Sequence, residues 1–187
     1  MTEVAQAKPR ERIIATAAKL FYDHGINPVG VAQICEEAGV SKRTLYKHFE
    51  TKEDLVAASM TLLGDAWYEA STSSETDTPK ARILHAFKMV ETAADQPDFY
   101  GCIFMNTSIE LRGTQAPANE VVREFKAKLY DYFREQASLM GAHNPKLLAQ
   151  QLIMLYDGCS AWIVMRREFP ASTFQTLELL LDSAIKS

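Results

Sequence analysis

Residues 34–49 read ICEEAGVSKRTLYKHF, and this stretch decides the fold of the N-terminal part of the chain. Gly39 separates two short segments with helical apolar spacing, which predicts helices over Val31–Ala38 and Lys42–Phe49. Ser41 can offer its hydroxyl as the N-cap of the second of these helices. Two short helices joined across so tight a turn predict a helix-turn-helix.

The remaining sequence also has helical periodicity, with proline, glycine and N-cap residues between the periodic segments. A helix over Pro9–His24 precedes the helix-turn-helix, and another runs from Thr51 to about Ala70. The stretch 71–78, STSSETDT, is typical of a loop. The later helices are expected at about 79–94, 103–111, 118–140, 145–167 and 171–185. We therefore expect an all-α protein of about nine helices.

The helix 42–49 has a narrow apolar side and a wide polar one. At about 100° per residue, Leu45 and Phe49 fall on one side, and Arg43 and Lys47 lie opposite them. Such a helix can rest on its neighbours by two residues and leave its other sides free to enter a DNA major groove, which is about 12 Å wide. The candidate contacts to bases or phosphates are Lys42, Arg43, Thr44, Tyr46, Lys47 and His48.

Charge is distributed unevenly. The chain carries a formal net charge of −4, but residues 41–52 contain four cations and one anion, so that this segment carries +3 and the remainder −7. Lys52 falls in the first turn of the next helix, where unpaired backbone N–H groups favour an anion, and a DNA phosphate is its expected partner.

The segment from Ile34 to Phe49, followed by Lys52, resembles the DNA-binding segment of the TetR family of transcriptional regulators. The resemblance covers roughly residues 10–56, with Cys35 where the family usually has alanine and Gly30 where it often has a capping threonine. It implies a DNA-binding domain over residues 1–56 and an effector-binding and dimerisation domain over 57–187. The implied function is a repressor that binds a pseudo-palindromic operator in double-stranded DNA and is released by an unidentified small-molecule effector.

Residues 100–106, YGCIFMN, followed by Glu110 and Leu111, are similar to a stretch common in one subgroup of that family. The resemblance implies a homodimer formed through the last two helices. Small residues near Gly158 and an apolar stripe along residues 174–184 agree with a covered surface there. The effector pocket candidates, chosen because methionines and aromatic residues suit apolar ligands, are Trp67, Phe87, Phe104, Met105, Met154 and Trp162.

Other functions have less support. The three cysteines are far apart and the four histidines dispersed, so we expect neither a disulfide, a metal site nor a cofactor, and no catalytic motif indicates an enzyme. The polar N-terminus and the shortness of the apolar runs favour the cytoplasm over the membrane. The alternatives left open are a DNA-binding adaptor dimer with a protein partner and no small effector, an activator, and a redox role for Cys102.

Overall fold

The structure is a computed structural model that describes residues 8–73 and 78–185. Within these residues all regular secondary structure is α-helical, which confirms the all-α prediction. In chain order the helices are α1 (Pro9–His24), α2 (Val31–Ala38), α3 (Lys42–His48), α4 (Lys52–Thr72), α5 (Pro79–Ala94), α6 (Ile103–Glu110), α7 (Ala118–Leu139), α8 (Pro145–Arg166) and α9 (Thr173–Ile185).

Several helix ends follow directly from local sequence. The Ser41 hydroxyl accepts a hydrogen bond from the Thr44 amide at 3.0 Å, as its N-cap position predicts. Asn144 caps α8 in the same way, accepting from the Leu147 amide at 3.1 Å. Gly39 ends α2 in the left-handed conformation, with φ 63°. These signals lie within four residues of the helix ends that they set.

Other helix ends differ from the prediction. Phe49 is extended and is the C-cap of α3, so that helix ends one residue earlier than expected. α4 continues to Thr72, two residues into the segment predicted as a loop, and residues 74–77 of that segment lie outside the described residues. α9 begins at Thr173, because the Thr173 amide bonds the Pro170 carbonyl at 3.0 Å and closes a turn before the helix.

The described residues pack as two compact units. The first comprises the residues up to Ala66 together with Ile103–Glu124, and the second comprises Trp67–Cys102 and the residues from Phe125 onward. α4 and α7 each contribute residues to both units. These packing limits differ from the functional boundary expected after residue 56, which stays a prediction.

In the first unit, α1, α2 and α3 pack against one another around side chains that are almost fully buried. Ile13 and Phe21 of α1, Ile34 of α2 and Leu45 of α3 form this core. In the same unit, α6 meets α4 where the Thr107 hydroxyl lies 3.1 Å from the Met60 sulfur.

In the second unit, α5, α8 and α9 pack together, and an aromatic cluster fills the core. The ring of Phe87 lies 5.4 Å from that of Tyr156 and 6.0 Å from that of Phe133. Trp67 donates a hydrogen bond from its indole N–H to the Tyr156 hydroxyl at 2.7 Å. Burial raises the pKa of the Tyr156 phenol well above its ordinary value, so this hydroxyl stays neutral.

One described helix, α8, is long and apolar enough by length and composition to cross a membrane. A partly buried helix of a protein core meets the same criteria. In α8, 39% of the most apolar part of the helix is buried within the chain, so its apolar residues are divided between the core and an exposed face.

Candidate nucleic-acid interface

The exposed face of α3 is the candidate interface. Leu45 is completely buried and Phe49, directly after the helix, is nearly so, as the helical spacing predicts. Arg43 and Lys47 are exposed on the opposite side. Lys42, Tyr46 and His48 are exposed as well, and Tyr46 retains half of its accessible surface. α3 therefore presents four basic or potentially basic side chains and one phenol to solvent.

Contacts from α1 hold the turn and the end of α3 in place. The Arg12 guanidinium donates a hydrogen bond to the carbonyl of Gly39, the turn residue, at 3.4 Å. The Arg10 guanidinium lies 5.4 Å from the centre of the Phe49 ring, within the range of a cation–π contact. Both arginines thus bind the helix-turn-helix from the neighbouring helix, a role that the sequence analysis did not assign to them.

Two of the predicted DNA contacts have partners within the protein. Thr44 is half-buried, and its hydroxyl lies 2.9 Å from that of Ser41. The Lys52 ammonium donates to the Ile26 carbonyl at 2.6 Å and lies 5.9 Å from the centre of the Phe21 ring. An ammonium has three N–H donors, so two remain available to Lys52 for an anion.

The thiol of Cys35, on α2, belongs to the core beneath this interface. Burial raises its pKa, and the positive charge of Lys42 opposes the shift only in part. Cys35 therefore behaves as a small apolar residue, in agreement with the expectation that it replaces alanine.

The residues predicted to line an effector pocket are divided between the two units and differ in exposure. Phe87 is fully buried in the second unit, where Trp67 is half-buried. Phe104 is buried and Met105 half-buried in the first unit. Met154 and Trp162 retain 73% and 41% of their accessible surface on α8, which no enclosed pocket within one chain would leave to them.

Comparison with known proteins decides the family. The profile described as "Bacterial regulatory proteins, tetR family" matches residues 13–59, which include most of α1, all of α2 and α3, and the start of α4. A crystal structure described as a TetR transcriptional regulator from Streptomyces avermitilis is 40% identical in sequence, covers 95% of this chain and 98% of that one, and superposes with a TM-score of 0.86. The chain belongs to the TetR family. It is a DNA-binding transcription regulator and not an enzyme.

Other TetR-family relatives include proteins with opposite regulatory effects. The transcriptional repressor DhaR of a Mycobacterium species is 26% identical, and the match covers 96% of each chain. The transcriptional activator FasR of Mycolicibacterium smegmatis is 23% identical over 82% of this chain and 72% of its own length. Membership of the family is therefore compatible with either repression or activation.

Glu110 makes a contact that the sequence did not predict. The Glu110 carboxylate accepts hydrogen bonds from the backbone amides of Ile26 and Asn27, both at 2.9 Å. Glu110 lies more than 80 positions after Ile26 and Asn27 in the sequence, so no local pattern could reveal the contact. The only signal was its place in a stretch similar to part of a family subgroup.

Proposed function

We propose that this TetR-family protein binds a pseudo-palindromic operator as a homodimer, represses transcription there and leaves the DNA when a small molecule binds. The observation that carries the proposal is the exposed basic face of α3, held on a narrow apolar strip by α1 and α2. Repression is the simplest effect of a protein that occupies an operator. In this proposal residues 1–56 bind DNA, residues 57–187 sense the effector and dimerise, and the protein acts in the cytoplasm.

The proposed DNA contacts divide into two groups. Arg43 and Lys47, at the centre of the exposed face, read base edges in the major groove. Lys42, Tyr46 and His48 lie to either side and bind phosphates, with Thr44 able to accept or donate one further hydrogen bond. Lys52 binds a phosphate through the donors that the Ile26 carbonyl leaves free.

The proposed dimer interface consists of the exposed apolar side chains of α8 and α9. Met154 and Met165 each retain 73% of their accessible surface, and Leu179 on α9 retains 67%. Trp162 and Val164 extend the same apolar surface of α8. A large exposed apolar patch marks an interaction surface, and a second copy related by a twofold axis would cover it with the same residues. We therefore assign Met154 and Trp162 to this interface.

The proposed effector is an apolar molecule with a hydrogen-bond donor. Gln136 is 3% exposed, and its side-chain carbonyl oxygen has no hydrogen-bond partner among the described residues. It lies on α7, one turn beyond Tyr132 and Phe133 of the aromatic cluster. An unpaired buried acceptor is unfavourable, so a ligand that donates to it gains more than one that offers only apolar surface.

A thermal-shift comparison tests the effector proposal. Compounds in matched pairs, with and without a donor group, are screened against the wild type and Gln136→Met. A bound effector at a hundred times its Kd stabilises the native state by about 2.7 kcal/mol. We expect donor compounds to raise the wild-type Tm and to lose this effect in Gln136→Met, while the free variant is at least as stable because the unpaired acceptor is gone. Equal Tm shifts of the wild type and Gln136→Met with the donor compounds would show that Gln136 does not accept a hydrogen bond from the effector.

Selection of bound duplexes from a random DNA library tests the operator proposal. We expect a pseudo-palindrome whose half-sites are centred about 34 Å apart, or a multiple of that distance. Sedimentation of the selected duplex with the protein should show an even number of chains per duplex. Enrichment of a single asymmetric site bound by one chain would contradict the proposal.

A further inference from the structure

The loop between α1 and α2 is held at one residue by two opposite charges. Both backbone groups of Ile26 are occupied: its amide donates to the Glu110 carboxylate at 2.9 Å, and its carbonyl accepts from the Lys52 ammonium at 2.6 Å. The amide of Asn27 donates to the same oxygen of Glu110, again at 2.9 Å. Hydrogen bonds to an ionised partner are about twice as strong as neutral ones. We name the contact of Glu110 with Ile26 and Asn27 the Glu110 latch.

The backbone of the loop is shaped to receive this carboxylate. Gly25 ends α1 with φ 85°, a region that L side chains rarely adopt. A Cβ added to Gly25 would lie 3.1 Å and 3.3 Å from the two carboxylate oxygens of Glu110. The carboxylate of Glu110 thus lies directly against Gly25, where the positive φ favours glycine and an added Cβ would displace the carboxylate by a few tenths of an ångström.

The latch joins two parts of the first unit that the sequence connects only distantly. α1, α2 and α3 form the three-helix group that carries the DNA-binding face, and its covalent continuation is the short step from α3 into α4. Glu110 is the last residue of α6, and it attaches α6 to the loop that follows the C-terminal end of α1. This contact is a second attachment of the three-helix group. A second attachment restricts the rotation of the three-helix group about its junction with α4, whereas a group attached only at that junction has more freedom to rotate.

We propose that Glu110 is a positioning residue that determines which half-site spacing the dimer accepts. The inference rests on the proposed function as a dimeric operator-binding protein. With the latch closed, the three-helix group of each chain has a narrow range of directions relative to α6, which narrows the range of separations that the two recognition helices of a dimer can match. Without the latch each group adjusts its direction, so the dimer tolerates operators whose half-sites are wrongly spaced. A single half-site is bound equally well in both cases, because Glu110 does not touch the exposed face of α3.

The test compares wild type, Glu110→Ala, Glu110→Gln and the control Glu124→Ala on three duplexes. Glu124 is an exposed carboxylate of α7 in the same unit, so the control removes the same charge. The duplexes contain the selected operator, the operator with two base pairs inserted between the half-sites, and a single half-site. The insertion moves the half-sites apart by about 7 Å and rotates one relative to the other.

We expect the insertion to weaken wild type and Glu124→Ala by about a hundredfold and Glu110→Ala by less than about tenfold, with half-site affinity unchanged. Glu110→Gln, which keeps an oxygen acceptor but no charge, should fall between them. In the same proteins, amide hydrogen exchange at Ile26 and Asn27 should accelerate only in the two Glu110 variants.

The possible outcomes distinguish a failure of the Glu110 proposal from a failure of the proposed dimeric operator binding. A wild-type protein that ignores the insertion would contradict dimeric operator binding itself. A wild type that discriminates spacing while Glu110→Ala discriminates equally well would overturn the latch alone. Unchanged exchange at Ile26 and Asn27 in Glu110→Ala would overturn it too, whatever the DNA result.

Discussion

Lys52 connects the start of α4 to the loop after α1, because its ammonium donates a hydrogen bond to the Ile26 carbonyl at 2.6 Å. Its place in the first turn of α4 was evident from the sequence, because the capping residues lie beside it. Its hydrogen bond to the Ile26 carbonyl, 26 residues away, was not, because that contact depends on how α1 and α4 meet. The exposed side of α3 was predicted because the spacing of apolar and polar residues within its seven positions determines which side faces the core. Glu110 was missed because its partners lie more than 80 residues away.

Replacement of Lys52 by alanine should weaken binding to all DNA sequences alike. Loss of one phosphate contact should reduce the slope of log affinity against log salt by about one unit. The variant also loses the contact to Ile26, so its loss of operator affinity should exceed the value expected from charge alone. Titrations at four or more salt concentrations measure both quantities.

Lys88→Ala is the matched control, because it removes one exposed cation from α5 in the second unit. Its salt slope should equal that of the wild type. An unchanged slope in Lys52→Ala would show that Lys52 does not contact a phosphate.

At the scale of elements, the segment before α6 depends on an unusually close approach of backbone to helix. Gly101 has φ 89°, and a Cβ added there would lie 2.3 Å from a methyl carbon of Val164 on α8. The Arg167 guanidinium donates to the nearby Phe99 carbonyl at 3.2 Å. The sequence predicted α6 and α8 correctly to within one residue at each end, but it could not predict this contact, which depends on tertiary packing.

Gly101→Ala should destabilise the protein more than Gly113→Ala does. Gly113 has φ 75° but no atom within 4 Å of an added Cβ, so its substitution measures the backbone strain alone, about 1–2 kcal/mol. Gly101→Ala adds the clash with Val164, and the additional substitution Val164→Ala should recover part of the loss. Chemical denaturation of the four proteins gives the free energies of unfolding. Equal losses at the two glycines would contradict the close packing of Gly101.

At the scale of the whole molecule, the all-α fold followed from helical periodicity and capping residues, and the family followed from one short motif. The pocket candidates stay a prediction, because helical spacing shows that a residue lies on a face but not which surface covers that face. Met154 and Trp162 were chosen for their chemistry, and both are exposed on α8. The apolar pattern of one sequence does not distinguish a residue that its own chain buries from one that a second chain would cover.

Met165→Glu should shift the protein from dimer to monomer and lower operator affinity by at least about a hundredfold, because two carboxylates would be buried near the twofold axis. Leu139→Glu is the control, since Leu139 is also exposed, at 60%, but lies at the end of α7. Sedimentation equilibrium measures the association. A Met165→Glu protein that remains dimeric would place the interface elsewhere.

In the proposed function, the exposed face of α3 reads the operator. The most direct test is the ratio of affinities for the selected operator and a scrambled duplex, at one salt concentration, in wild type and in Arg43→Ala/Lys47→Ala. The control Lys88→Ala/Arg134→Ala removes the same charge from exposed positions of the second unit. We predict a ratio of about a thousand or more in wild type and control, and a fall of at least about tenfold in the α3 variant. An unchanged ratio in the α3 variant would show that Arg43 and Lys47 do not read the operator.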